Sequence, residues 1–405
     1  MSGSGRLLQN IFLANSSHLR SIKRPLKDIK AIEAISRCRT ENLGTSYYRC
    51  EENHEIVAQH HSCQHRSCFL CAKKNRIKWI ESQRTKLFNT GHFHVVFTLP
   101  HEYLDLWRYN QSLFIRIIFK ASQETITTLM NDSKYHGVTP GILMVLHTWG
   151  RQLPLHPHTH CLVTGGGLTK NGEWQDSGDY LLPIRVVKAL YRDIAQALII
   201  KAFESKELIL PPAMDEMGFR SLYRRVYKKS WSVRIQDRYE HGQGVMLYLA
   251  RYIKGGPLNP SQIEHCSSKA IVFRYLDHSD KRKKKLSLTP AEFTKRLLLH
   301  VPPEGMHMVR YYGLYASSSK KKRERCKDML GDLSSIKKAA GSDREDVLLF
   351  CKQCGGPLRY THSVWNRFRK GNSLNEACAT GFAQHLDEAE IANTLRMKGC
   401  RKIQV

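Results

Sequence analysis

Three groups of side chains have the types and spacing to do chemistry. In the run HPHTHCLVTGGG, from His156 to Gly167, His158 and His160 stand two residues apart. On an extended strand, residues i and i+2 project from one face. Two imidazoles can therefore chelate one divalent cation, while Cys161 and Val163 point to the opposite side. A strand ending at His147 can pair antiparallel with this one through the turn from Arg151 to Pro157. That makes His147, Gln152 or His156 the third ligand. The plain alternative is a pair of ordinary histidines at a strand edge.

The second group is Tyr248 and Tyr252, within Val245 to Lys254 (VMLYLARYIK). Residues i and i+4 of a helix stack on one face. Two phenols side by side can attack two phosphodiesters in turn, and a phosphotyrosine bond conserves the energy needed for religation. A metal on the histidines would polarise the scissile phosphate. Lys254 could hold a phosphate or lower a phenol's pKa. Taken alone, tyrosines four apart read as ordinary amphipathic helix residues.

The third group is cysteine-rich. Five of the 12 cysteines fall between Cys38 and Cys71. Cys50-x3-His54 followed by Cys68-x2-Cys71 offers four soft donors of the kind that tetrahedral zinc prefers. Cys38 and Cys63 stand in reserve, as substitutes or as part of a second site. Such a zinc would be structural, holding a segment with little apolar bulk. Arg66, Lys73, Lys74 and Arg76 would suit DNA. Further on, Cys351-x2-Cys354-Gly355-Gly356 is half of another zinc knuckle, with Cys326, Cys378 and Cys400 as possible partners.

These groups must be positioned by surrounding elements. Residues 1–30 read as a basic leader, 31–90 as a zinc-binding, DNA-contacting domain, 91–316 as a catalytic domain, and 317–405 as a basic C-terminal region. His94 to Leu99, Ile142 to His147 and His158 to Val163 read as strands. Ala72 to Phe88, Leu113 to Met130, Arg185 to Ser205 and Gly244 to Lys254 read as helices, the last stopped by Gly255-Gly256-Pro257. From His92 to about Tyr315 the pattern of strands and helices reads as α/β.

The chain has 405 residues, with 64 Lys plus Arg against 36 acidic residues, a formal charge of +28. That excess favours a polyanion through phosphate contacts and counterion release. Lys283 and Lys284, in a run from Lys281 to Lys285, and Lys321, in a run from Lys320 to Arg323, are further candidates for the DNA backbone, as are Arg224 and Arg225. No stretch has the ~20 apolar residues that span a bilayer. The start lacks the apolar core of a secretory signal. The expectation is a cytoplasmic, nucleoid-associated protein with reduced cysteines and no membrane partner.

Together the motifs carry a resemblance. Cys38-Arg-Thr-x-x-Leu-Gly44, the SCxxRxCxxC run ending at Cys71, FHVVFTLPHE from Phe93, HTWG from His147, HPHTHCLVTGGG, YLARYIKGGPL from Tyr248 and RYYG from Arg310 occur in this order. The chain resembles the two-tyrosine HUH rolling-circle transposases of the insertion sequence 91 family over residues 30–315. The resemblance implies an α+β fold, with a small N-terminal zinc-binding domain followed by an HUH nuclease domain built as an antiparallel sheet with flanking helices. It also implies His158 and His160 as ligands to catalytic Mg²⁺ or Mn²⁺, and Tyr248 and Tyr252 as nucleophiles. The DNA partner would be single-stranded transposon ends and a target. Two positions depart from the pattern: Thr159 replaces an apolar middle residue, and Cys50-x3-His54 replaces a second Cys-x2-Cys. Other readings are an HUH replication initiator or relaxase, and a zinc-dependent DNA-binding regulator without catalysis.

Overall fold

The computed structural model describes residues 6–16, 19, 24–84, 86–236, 238–239, 256–277, 280–331 and 349–365. Tyr248, Tyr252 and Lys254 lie outside the described residues, as do Cys378 and Cys400.

Two helices come first, α1 (Leu7–Ala14) and α2 (Leu26–Ser36). Leu8, Ile11 and Phe12 recur at helical spacing on α1 and are buried. The hairpin β1 (Thr45–Cys50) and β2 (Ile56–His60) follows, then α3 (Phe69–Arg84). The central α/β region begins with β3 (His92–Thr98) and continues through α4 (Leu104–Tyr109), α5 (Gln111–Asn131), β4 (Val138–Thr139), β5 (Gly141–Trp149) and β6 (Leu155–Thr164). It runs on through β7 (Gly166–Thr169), β8 (Trp174–Asp176), α6 (Ile184–Glu204), α7 (Glu216–Tyr227) and β9 (Val233–Ile235). After the next described stretch begins, β10 (Ile263–Cys266), β11 (Ile271–Leu276) and β12 (Lys283–Leu288) form a separate meander, followed by α8 (Pro290–Leu298), β13 (Val309–Gly313), α9 (Lys320–Leu330) and β14 (Leu358–Val364).

The architecture is the expected α+β class. Its centre is a five-stranded antiparallel sheet in the order β13-β5-β6-β3-β9. The pleat sorts its side chains. Phe93, Val95 and Phe97 of β3, Ile142, Met144 and Leu146 of β5, and Cys161 and Val163 of β6 enter the main core. There they meet α5, through Phe114, Ile118 and Ala121, and α6, through Tyr191, Ala195 and Ile199. The alternate positions of the same strands, Leu143, Val145 and Leu162, belong to a second cluster with Phe88, Leu314 and Tyr315 on the other face.

The strands run longer than their apolar runs suggest. β3 starts at His92 because this residue bridges to Tyr239 and its buried ring bonds Tyr315 Oη at 2.7 Å. β5 and β6 extend to the pair Trp149 and Leu155. The intervening turn is tight: Leu153 takes φ +63° and is fully buried, and its carbonyl accepts from His300 Nε2 at 3.2 Å.

Leu153 enters a third cluster that also contains Leu8, Phe12, Cys38, Cys68, Cys71, Phe273 and Phe293. The N-terminal helices and the cysteines thus pack on the turn between β5 and β6 and on the β10–β12 meander. α8 begins with Thr289, whose side chain accepts from Glu292 N, and with Pro290 in the first turn. Among the described residues, no helix is long and apolar enough to cross a membrane.

Thr159 explains how a polar residue is accommodated between two histidines. It is fully buried on the helix-facing side, where its hydroxyl pairs with Ser122 of α5 at 3.1 Å. Thr159→Val is expected to lower unfolding free energy by about 1–2 kcal/mol by stranding the serine, and Thr159→Val/Ser122→Ala to recover most of it. Denaturant melts of the four proteins check this; additive single effects would disprove the coupling.

Candidate active site and metal centres

His147 of β5 lies directly opposite His158 of β6, and His160 follows on the same face. One ring nitrogen from each falls within 4.8 Å of the others. The rings of His147 and His160 meet edge to face at 4.5 Å, those of His158 and His160 at 4.8 Å. Of the three options for a third ligand, the sheet brings in His147. His156 projects from the exposed strand end, and Gln152 sits in the turn with its carbonyl bonded to Arg296.

Hydrogen bonds set the tautomers. His158 Nδ1–H donates to the His156 carbonyl at 2.6 Å, so its lone pair is on Nε2. His94, adjacent on β3, links His160 to the scaffold. Its Nδ1–H donates to Gln236 Oε1 at 2.7 Å, and its Nε2 therefore accepts from His160 Nδ1–H at 2.9 Å. That leaves the His160 lone pair on Nε2 as well. Burial pushes His158 and His94 down to about 4, and burial together with the neighbouring imidazoles holds His160 well below the usual range. All three are neutral at pH 7, the form that binds metal. The donor set fits a divalent cation, with positions left over for a substrate oxygen. Sequence reading missed His94, a single histidine in an apolar strand that only cross-strand register puts beside His160.

Cationic and aromatic groups border the histidines. Trp149 stacks on His147 at 4.4 Å, and the Arg66 guanidinium lies over Trp149 at 5.2 Å. Burial lowers Arg66 to about 10, which keeps it charged at neutral pH. Gly256, where the described chain resumes after the tyrosine-bearing segment, packs on Arg66 and Ser67; a Cβ there would stand 3.3 Å from Ser67 Cα.

The cysteines divide differently from the sequence expectation. Cys50 and His54 do not join Cys68 and Cys71. Instead Cys38, Cys63, Cys68 and Cys71 form one group and Cys50, His54, Cys351 and Cys354 another. The hairpin causes the division. Thr45 and His60 pair at its base beside Cys38 and Cys63, while Cys50 and His54 are at its tip. A strand of this length separates base from tip by about 15–20 Å. In the first group Cys71 Sγ lies 3.5 Å from Cys38 Sγ and 3.7 Å from Cys63 Sγ. Hydrogen bonds from its three partner thiols hold Cys71 well below the usual thiol range. Backbone amides of Cys63 and His65 donate to the sulfurs of Cys38 and Cys63, each at 3.4 Å. Four thiols so arranged fit zinc. Cys326 is buried elsewhere, beside Leu87 and Phe88.

The basic residues differ in availability. Lys73, Lys74 and Arg76 lie on α3. Lys321 is exposed at the start of α9, and Lys283 is exposed on β12. Lys284 is held by Asp277 at 2.7 Å and Asp280 at 2.9 Å, so its charge is already compensated. Arg224 and Arg225 join Arg220 and Lys228 along the outer side of α7, whose Phe219, Leu222 and Val226 face the core.

Known proteins give this arrangement its class. A family model described as "Transposase zinc-binding domain" matches residues 11–99, and one described as "Putative transposase" matches residues 141–323. The two matches define a DNA transposase with its zinc-binding domain in front. The chain is 32% identical over 343 residues to "Putative transposase y4qJ" of Sinorhizobium fredii, covering 82% of this chain and 86% of that one. It is 28% identical over 399 residues to "Transposase for insertion sequence element IS801" of Pseudomonas savastanoi pv. phaseolicola, covering 91% and 93%. No solved structure matches. The chain belongs to the insertion sequence 91 family of transposases.

The bond from His160 to His94 generates an expectation. His94→Ala should weaken Mn²⁺ binding about 10–100-fold, the usual effect of losing a residue that orients a ligand. Titration calorimetry checks it, and unchanged affinity would remove His94 from the site.

Proposed function

We propose that this transposase cuts and rejoins single DNA strands at its element's ends by a rolling-circle, HUH-type mechanism. The observation that carries the proposal is the face shared by His147, His158 and His160, in a chain of a transposase family. A divalent ion held by these imidazoles would polarise the scissile phosphate and stabilise charge on its oxygens. An all-imidazole set favours a first-row ion such as Mn²⁺ over Mg²⁺, which prefers oxygen donors.

The nucleophiles are Tyr248 and Tyr252. One phenolate attacks the phosphorus at a transposon end; the P–O3′ bond breaks and the 3′ oxygen leaves, taking up a proton. The products are a 5′-phosphotyrosine and a free 3′-OH. The second tyrosine engages the other end or the target, and attack by a 3′-OH on the phosphotyrosine restores a phosphodiester and frees the phenol. Support comes from Gly256, two residues after Lys254, which packs on the backbone of Arg66 and Ser67, the same Arg66 whose guanidinium lies over Trp149.

Arg66 binds a backbone phosphate near the histidines, held in place over the Trp149 ring. Lys73, Lys74, Arg76, Lys254, Lys283 and Lys321 extend the contact with DNA. Lys284 contributes less, because two carboxylates neutralise it. The four thiols of Cys38, Cys63, Cys68 and Cys71 hold a structural zinc that braces the turn between β5 and β6 through Leu153.

The test is cleavage of labelled single-stranded DNA carrying the element's ends, with Mn²⁺. Wild type should form a covalent protein–DNA adduct, and Tyr248→Phe/Tyr252→Phe should form none. His158→Ala should abolish the adduct while leaving DNA binding in place. Tight binding without an adduct under any metal would sink the nuclease reading in favour of a DNA-binding protein without catalysis.

A further inference from the structure

The second group of cysteines has no part in this chemistry. Cys50 ends β1 and His54 follows in the hairpin turn, whereas Cys351 and Cys354 lie some 300 residues later, outside both matched regions. We infer that Cys50, His54, Cys351 and Cys354 form a second structural zinc site, which staples a late segment of the chain into the N-terminal zinc-binding domain.

The donor geometry supports an ion. Cys50 Sγ stands 3.5 Å from Cys354 Sγ and 3.7 Å from His54 Nδ1, and all four ligand atoms fall within 4.8 Å of one another. A zinc tetrahedron with bonds of ~2.3 Å has edges of about 3.8 Å. The sulfurs are free thiols, at a separation far beyond the ~2.05 Å of a disulfide. Three thiolates and an imidazole are a donor set that selects zinc.

The backbone at Cys351–Gly356 is already shaped for a metal. Gly355 N–H donates to the Cys351 carbonyl at 2.9 Å, and Gly355 takes φ +70°. The amides of Gln353 and Gly356 point at the sulfurs of Cys351 and Cys354, each at 3.4 Å. Such N–H groups stabilise thiolate charge. In the turn between β1 and β2, Asn53 takes φ +57°, and His54 comes to face Cys50.

The surrounding sheet needs such a tie. β14 pairs with β1 from Thr45↔Val364 to Cys50↔Leu358, making a three-stranded sheet β14-β1-β2. Among the described residues, its apolar cluster is Cys50, Cys351 and Leu358, backed by Tyr48, Val57 and Leu349. β2 is mostly exposed, and in β14 Leu358 is buried while the other residues are exposed or half-buried. So small a core does not hold a sheet together unaided, and a metal supplies the missing stabilisation.

The site is tested by zinc content of the full chain, measured by inductively coupled plasma mass spectrometry. A His158→Ala/His160→Ala background keeps zinc off the histidine face. That protein should carry two zinc ions, and Cys351→Ser/Cys354→Ser or Cys50→Ser should carry one. Cys326→Ser, whose thiol lies in another cluster, should keep both. Two ions retained without Cys351 and Cys354, or loss of both ions together, would overturn the assignment. A variant that removes no ligand gives a second reading. In the Co²⁺-substituted protein, His54→Cys should raise the thiolate-to-cobalt band by about one seventh, as the thiolate ligands rise from seven to eight. An unchanged band would exclude His54 from the site.

Discussion

The alternation of side chains across β5 and β6 is the constraint on which the histidine site rests. Because His147 pairs with His158, three imidazoles share one face while Thr159 and Cys161 enter the core opposite. A slip of one residue would turn His158 and His160 into the helix layer and Thr159 toward the metal. The register is held at the turn: Leu153 is buried at positive φ, and His300 joins its carbonyl to the Thr148 hydroxyl. Arg296 caps the neighbouring Gln152 carbonyl. A short loop thus sets the geometry of the site.

That loop also connects the two halves of the protein. Leu153 shares a cluster with Cys38, Cys68 and Cys71, so an ion held by the first cysteine group bears on the turn that spaces the histidines. Arg66, between Cys63 and Cys68 in the chain, reaches Trp149 on the far end of β5. The zinc-binding region and the histidine face are therefore one packed structure around a common turn, and the Arg66 guanidinium is part of the seam.

Much of this was legible in the sequence, for definable reasons. A two-residue repeat is the period of a strand, so His158-x-His160 pointed to a shared face, and a short turn put His147 beside Gln152 and His156 as a possible third member. The long helices followed from apolar spacing. Less visible was whatever depends on pairing at a distance. His94 looks like any strand residue until β3 is set against β6. Cys50 and Cys68 are near in sequence, yet the β1–β2 hairpin carries them to opposite ends. Conversely, Cys351 and Cys354 showed half a site, and their partners lay about 300 residues back, where no local pattern could point. Lys284 read as a free cation because the carboxylates of Asp277 and Asp280 are brought to it only by the loop between β11 and β12.

The pairing of β14 with β1 has a consequence for how the protein is made. The first sheet of the chain takes its third strand from residues 358–364. During synthesis, the central sheet has all of its strands by Gly313, whereas the N-terminal hairpin waits for the ribosome to deliver its partner. The region translated first is therefore among the last to be completed. An element whose reading frame is interrupted just after residue 330 keeps His147, His158, His160 and both tyrosines, yet its first sheet stays open at one edge.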